Sequence, residues 1–336
     1  MIVDMHGWYL SVPADVDLRL TLEDGKSVYH EGEIIPLKLV FTTAAKQKYT
    51  ANTRTSDRSG RLDLETFCVA PDIGRDPLED YYRSGIWTAF AGGGLSGGDR
   101  VLSRVPYVVN EELNEWVSLP PGRYSLHVAS GRVELIRPGA TWPGTGPVLV
   151  LSNSVTFEVV AATPQWQAEQ LAKALSLLVA KQGKLTQDEF EQIHHAIRVL
   201  RFLGSEAATR QLARRFWFHD RPPAPPDVPG VGYPVSEFYQ AQLERSFWGF
   251  KAGLIGSPCR AVAIRELNAM IDDRHHPATR AMVETLALLE IQSNTEYKLR
   301  PYDSGPRAEW ENQRQVKVAA YNKTVDALWN RVSSKR

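Results

Sequence analysis

Residues 154–178 read SVTFEVVAATPQWQAEQLAKALSLL, and the spacing of the apolar positions changes in the middle of them. Val155, Phe157 and Val159 alternate with Thr156 and Glu158, the two-residue period of a strand with one buried face. Leu171, Leu175 and Leu178 then fall at i, i+4 and i+7, the period of an amphipathic helix. Pro164 stands at the expected first helical position, where its missing N–H would have had no intrahelical acceptor. The last strand is expected to end near Ala162, with no flexible linker before the helix. The change of period divides the chain into an all-β part and an all-α part.

Working back from that boundary, the two-residue period recurs. Val16, Leu18, Leu20 and Leu22 share one face of VDLRLTLE, and Ile35, Leu37, Leu39 and Phe41 share one face of IIPLKLVF. Tyr124, Leu126 and Val128 alternate with Ser125 and His127. Turn signals separate these runs at Glu23-Asp24-Gly25, Glu31-Gly32, Pro120-Pro121-Gly122 and Arg137-Pro138-Gly139. Short half-buried strands with this punctuation point to a β-sandwich. VLSRVPYVV (101–109) reads as a further strand.

Working forward, Phe190, Ile193, Ile197 and Leu200 form the next helical stripe, opened by Thr186 as N-cap with Glu189 in the capping-box position. More helices are expected around 205–218, 235–255, 257–273, 277–292 and 308–333. Gly204-Ser205 and Gly256-Ser257 each end one helix and cap the next. Around them FLGSEAATRQLARRF (202–216) aligns with LIGSPCRAVAIRELN (254–268), setting Ala208 against Arg260, Leu212 against Ile264 and Arg214 against Glu266. A fainter copy begins at His276-Pro277. The segment 219–234 holds six prolines, with PxxP matches at Pro222/Pro225 and Pro223/Pro226 among them, and reads as a stiff connector rather than an SH3-type ligand.

Two resemblances follow from these residues. LPPGRYSLHV (119–128) resembles the tyrosine-corner approach to the penultimate strand of immunoglobulin-like domains, with Tyr124 as the corner residue. The paired repeats resemble HEAT or armadillo helix pairs, each of which buries its apolar face on the next. The combination resembles uncharacterised bacterial proteins in which an immunoglobulin-like β-sandwich precedes a HEAT/armadillo-like helical region. That resemblance implies an N-terminal extension over 1–14, the sandwich over 15–162 and a helical-repeat domain over 163–336. It also implies a non-enzymatic, extracytoplasmic protein.

Charge and composition narrow the function. Lys plus Arg total 39 and Asp plus Glu total 39, so the net charge is zero and a broad grip on nucleic acid is not expected. The halves differ, with 20 acids against 15 bases in 1–163 and 19 against 24 beyond. No apolar run reaches the roughly 18 residues of a membrane span. Asp4, His6 and Gly7 interrupt the apolar start, so Met1 either begins a cytoplasmic protein or follows a removed leader, which would make the protein secreted or periplasmic.

Motifs for chemistry are sparse. Gly92, Gly94 and Gly97 match G-x-G-x-x-G but precede a strand rather than a helix, so a loop is expected, not a dinucleotide site. The adjacent pairs His194-His195 and His275-His276 diverge on a helix and do not chelate one ion. Cys68 and Cys259 read as small buried hydrophobes. Asp57, Asp63 and Glu65 offer oxygens in a turn without EF-hand spacing, and a plain turn is the better reading than calcium. No catalytic motif is found, and no metal or organic cofactor is expected.

Residues 70–98 are anomalous, because almost thirty residues stand where two to five would turn the chain. They concentrate Tyr81, Tyr82, Trp87 and Phe90, flanked by Asp76, Glu79, Asp80 and Arg83. Long aromatic loops are where binding often resides. The segment 76–95 is therefore the candidate interaction surface, unless its rings are buried as a lid on the sandwich. The best reading is a binding or scaffold protein with a protein partner in the cell envelope or extracellular space. The alternatives are a carbohydrate-binding module that stacks a glycan on Tyr81, Tyr82 and Trp87, and a hydrolase using Asp76 and Asp80 in an inter-domain groove.

Overall fold

The computed structural model describes residues 2–3, 9–10, 13–54, 64–82, 98–136, 147–178, 186–216, 249–273, 278–297 and 305–334. The chain forms two compact units, one of Met1–Asp76 with Ala89–Ala161 and one of Pro77–Thr88 with Ala162–Arg336. The first is built of strands and the second of helices, as the change of period requires.

The β unit opens with β1 (Ile2–Val3) and β2 (Tyr9–Leu10), which pair antiparallel. Then come β3 (Val16–Leu22), β4 (Val28–His30), β5 (Pro36–Thr43), β6 (Tyr49–Asn52), β7 (Glu65–Ala70), β8 (Asp99–Val101), β9 (Tyr107–Glu112), β10 (Gly122–Leu135), β11 (Pro147–Leu151) and β12 (Val155–Val160). A three-stranded antiparallel sheet has the order β3-β5-β9. A larger sheet is organised on β10, which pairs with β12 and β11 on one side and with β7 and β6 on the other. Beyond these, β4 pairs parallel with β12 and β8 pairs with β6.

The expected apolar faces make one core. Leu18, Leu20, Leu37, Leu39 and Phe41 from the small sheet join Tyr124, Leu126, Val128, Phe157 and Val159 from the large one. Alternation decides this packing, since successive strand side chains point to opposite faces. Tyr124 donates its hydroxyl to the Pro120 carbonyl at 2.7 Å, fixing the turn that leads into β10. Tyr124→Phe keeps the ring but leaves that carbonyl without its donor. Urea denaturation should show the β unit weakened by about 1 kcal/mol.

VLSRVPYVV is not one strand. Residues 99–101 form β8 on the large sheet and 107–112 form β9 on the small one, with bends at Arg104 and Val105 between. Pro106 has no N–H for a ladder, which accounts for the break.

In the helical unit, α1 (Glu79–Tyr82) is a single turn. It is followed by α2 (Pro164–Leu177), α3 (Gln187–Leu203), α4 (Glu206–Arg215), the helical stretch 249–255 (α5), α6 (Arg260–Asp272), α7 (Arg280–Ser293) and α8 (Arg307–Ser333). Contacts link α2 to α3, α3 to α4, α4 to α6, α6 to α7 and α7 to α8. Thr186 and Ser205 cap as the sequence implies, whereas α6 takes Cys259 rather than Ser257 as its N-cap, without a side-chain cap bond. Thr163 accepts from the Trp166 N–H with Pro164 in the first turn, and Thr186 and Glu189 form both bonds of a capping box. Gly204 ends α3 with φ of 58°, a left-handed conformation that costs glycine little, and Ser205 caps α4.

The repeat alignment has a physical counterpart. Arg214 lies 3.0 Å from Glu266, the residue at the equivalent place one repeat later, and Arg210 reaches the same carboxylate at 3.1 Å. Burial alone would raise the pKa of Glu266, but the two guanidiniums hold it below the usual carboxylate range. Thr209 and Ser257 share a buried hydrogen bond of 2.6 Å. A Cβ on Gly253 would come within 2.8 Å of Leu212, so glycine lets α5 approach α4 closely. The proline-rich segment 219–234 and His275-His276 lie outside the described residues.

One boundary differs from the expectation. The β part does not run unbroken from 15 to 162, because residues 77–88 belong to the helical unit. Leu78 and Tyr81 are the reason: both are apolar, both are buried, and both pack in the helical core.

Candidate functional site

Of the four rings singled out in the sequence, Tyr81 is the one whose side chain lies among the described residues, and it is buried. Tyr81 is 5% exposed, packed in the helical core, with the Lys251 ammonium 5.7 Å from its ring centre. It is a packing residue of the helices, neither an exposed anchor nor a lid on the β unit. Its burial pushes the phenol far above the ordinary tyrosine range. Asp76 is half-buried at the end of the β unit's first stretch. Asp80 and Tyr82 belong to α1 by backbone, but their side chains lie outside the described residues, as do Arg83, Trp87 and Phe90 entirely. The glycines 92, 94 and 97 and the acids Asp57 and Asp63 lie outside them too.

The approach to α1 is fixed by backbone bonds. Arg75 and Ser118 exchange N–H to carbonyl bonds of 3.1 and 2.8 Å. A Cβ on Gly74 would come within 2.2 Å of Val117, so only glycine allows this strand end to lie against residues 117–119.

A different stretch of the β unit carries exposed apolar groups. Val101 is 50% exposed, Val105 64% and Val108 39%. They lie along the connection from β8, at one edge of the large sheet, to β9, at one edge of the small sheet. Leu102 and Tyr107 point inward as anchors, and Arg100 sits 5.6 Å from the Tyr107 ring centre. Arg104 lies between the exposed valines and also lines a recess of about 460 Å³ with Asp15, Asp17, Thr42 and Thr43. In that recess Asp15 accepts from Lys48 and from the Tyr49 hydroxyl, each at 2.6 Å, and these bonds hold its carboxyl below the usual range.

The two edges of the small sheet are not alike. Along β3, Asn153 copies a neighbouring strand, accepting from the Leu20 N–H at 2.8 Å and donating to the Leu20 carbonyl at 3.0 Å. Among the described residues, β9 pairs with β5 alone. Reading VLSRVPYVV as one strand hides this strip. Pro106 inside the run was the signal that it breaks at an edge.

Beneath β9 lies a buried ionic cluster that no motif announced. Between Ser130 and Val133 the register of β10 on β11 slips by one residue, a bulge that turns both Arg132 and Val133 inward. The Arg132 guanidinium is 1% exposed and grips Glu65 with two bonds of 2.7 and 2.8 Å. It also donates to the carbonyls of Asn52 and Arg54, and Ser130 donates to Glu65 at 3.0 Å. Glu65 is therefore committed to an ion pair and is not a calcium ligand. Glu111 of β9 stands 3.9 Å from the same guanidinium. Its burial, together with the charge of Glu65 and against the pull of Arg132, pushes its carboxyl up to about 7.

Neither cysteine is activated. Burial pushes the thiols of Cys68 on β7 and Cys259 at the start of α6 above their ordinary range. Among the described residues, no group of three or more His, Cys, Asp or Glu is placed to hold a metal ion. No helix among them is long and apolar enough to cross a membrane. No protein-family model matches the chain, and no curated protein matches it.

Proposed function

We propose that this chain is a non-enzymatic binding or scaffold protein of the cell envelope or extracellular space, and that a protein partner docks on the strip from Val101 to Val108. The observation that carries the reading is the exposure of three valines beside an edge strand that pairs on one side only, among the described residues. Exposed apolar groups next to an open sheet edge invite an additional chain, by side-chain burial and by strand pairing. Arg104 and Arg100 flank the valines and favour acidic groups on that partner.

The finer architecture belongs to the same proposal. The Tyr124 to Pro120 bond supports an immunoglobulin-like β unit. The pairing of Arg214 with its repeat-equivalent Glu266 supports HEAT-like helix pairs. The carbohydrate reading loses Tyr81, one of its three stacking rings, to the helical core.

A photo-crosslinking residue at position 105, introduced in the source cell, tests the docking claim. One discrete protein adduct is expected from position 105 and none from position 123, which is exposed elsewhere on the β unit. Val108→Glu should abolish the adduct while leaving the melting temperature within about 1 °C. Identical adducts from both positions, or none from either, would overturn it. Turnover on a hydrolase panel that is lost in Asp80→Asn would overturn the non-enzymatic reading.

A further inference from the structure

We propose that Glu111 is a proton-operated latch that fastens edge strand β9 to the bulge of β10. The latch is a property of the β unit and is independent of what docks on the strip. It follows from three ionisable groups sharing one buried place: the Arg132 guanidinium satisfies Glu65 bidentately and is only 3.9 Å from Glu111. One cation faces two carboxylates. With Glu111 protonated the cluster is neutral, and with Glu111 ionised it carries a net negative charge between the sheets. Among the described residues, no second cation meets that charge in the cluster. Ionisation therefore favours outward movement of β9, which takes the Glu111 side chain, 17% exposed in the closed strand, further into water.

The surroundings of Glu111 support this role. From β10 it faces Arg132, and from β7 it faces Glu65. Its own strand adds Glu112, and the following turn adds Glu115, both of which disfavour its ionised form. Tyr107, two rungs earlier on the inward side of β9, also lies within the field of Arg132 and Glu65. From β5 the opposite residue is Leu37, fully buried, while Lys38 is exposed on the other face. The position is built at an edge: β9 pairs with β5 alone among the described residues, and its inward residues Tyr107 and Val109 pack in the core of the β unit.

The sign is set by the raised pKa of Glu111. Closed β9 holds the Glu111 proton up to about pH 7, whereas in an opened strand the carboxyl would titrate near its ordinary value of 4.5. The closed state is thus favoured most in acid and weakens as pH rises from about 4.5 to about 7, with no further change above.

Hydrogen–deuterium exchange across pH is the test. After correction for intrinsic rates, protection of the amides of 107–112 is expected to fall roughly 50-fold between about pH 5 and about pH 7.5. In Glu111→Gln, a neutral side chain of the same shape, the protection should be independent of pH and should match the acid limit of the native chain. The carboxyl carbon of Glu111, followed by NMR in the native protein, should titrate near neutrality. A 107–112 segment equally pH-dependent in Glu111→Gln would overturn the latch. So would a Glu111 resonance that titrates in the ordinary carboxylate range.

Discussion

Arg132→Met is expected to lower the stability of the β unit by about 3–5 kcal/mol, the cost of leaving a buried charge without its partner. The side chain is 1% exposed, and so is that of Glu65, so water cannot replace the lost bonds without opening the sheet. The loss extends past the carboxylate, because the carbonyls of Asn52 and Arg54 are also bound by the guanidinium. Those bonds tie the end of β6 and the head of β7 to the middle of β10, three strands brought together at one bulge. Chemical denaturation followed by tryptophan fluorescence and far-UV circular dichroism measures the effect. The double variant Arg132→Met with Glu65→Leu should recover much of the loss, because apolar groups of similar volume replace a buried pair at little net cost. A single variant within about 1 kcal/mol of the native protein would show that the cluster is hydrated and not a buried pair.

How much of this was legible in the sequence differs from element to element. The strands were readable because Leu18, Leu20, Leu37, Leu39 and Leu126 alternate with polar residues, and burial follows that alternation directly. The starts of α3 and α4 were readable because Thr186 and Ser205 are residue types that satisfy the free N–H groups of a first turn. The ionic cluster was not, since it depends on pairing between residues 65 and 132, and a local pattern carries no information on that pairing. A hint was present: Glu65 and Arg132 both occupy inward phases of their strands, and opposite charges on facing inward rows tend to meet. The bulge hid the hint by putting Arg132 and Val133 on the same side.

Of the large apolar side chains in the aromatic segment, Leu78 and Tyr81 are the ones that lie among the described residues. The segment's excess length and its rings call for a purpose, but a run of aromatic residues fits an exposed anchor and a buried plug equally well. What decides is which surface the segment meets, and Leu78 and Tyr81 meet the helices. A Cβ on Gly256 would stand 3.1 Å from the Pro77 carbonyl and 3.2 Å from Leu78, so the glycine of the second repeat junction is shaped to receive this segment. The Gly-Ser junction was legible as a helix boundary, whereas its role as a seat for residues 77–78 required the fold.

Tyr81→Ala should accordingly destabilise the helical unit by about 3–4 kcal/mol, the range for removing a large buried ring and leaving a partly unfilled space. The ring also faces Lys251, which is 7% exposed and whose amine burial pushes down to about 8, with Glu284 pulling the other way. Below that pH the ammonium is charged in an apolar place, and the electron-rich face of Tyr81 is one of the groups that stabilise it there. Removing the ring therefore subtracts packing and charge stabilisation together, and Tyr81→Phe, which keeps both, should cost much less. Because the chain has two units, unfolding need not be a single transition. The helical transition, followed at 222 nm, should move to lower temperature while that of the β unit stays in place. The crosslink from position 105 should persist in Tyr81→Ala at temperatures where the helices remain folded, since that strip lies in the β unit. If instead the helical transition were unmoved and the adduct vanished, Tyr81 would be a contact residue for the partner, and the aromatic segment rather than the 101–108 strip would be the interaction surface.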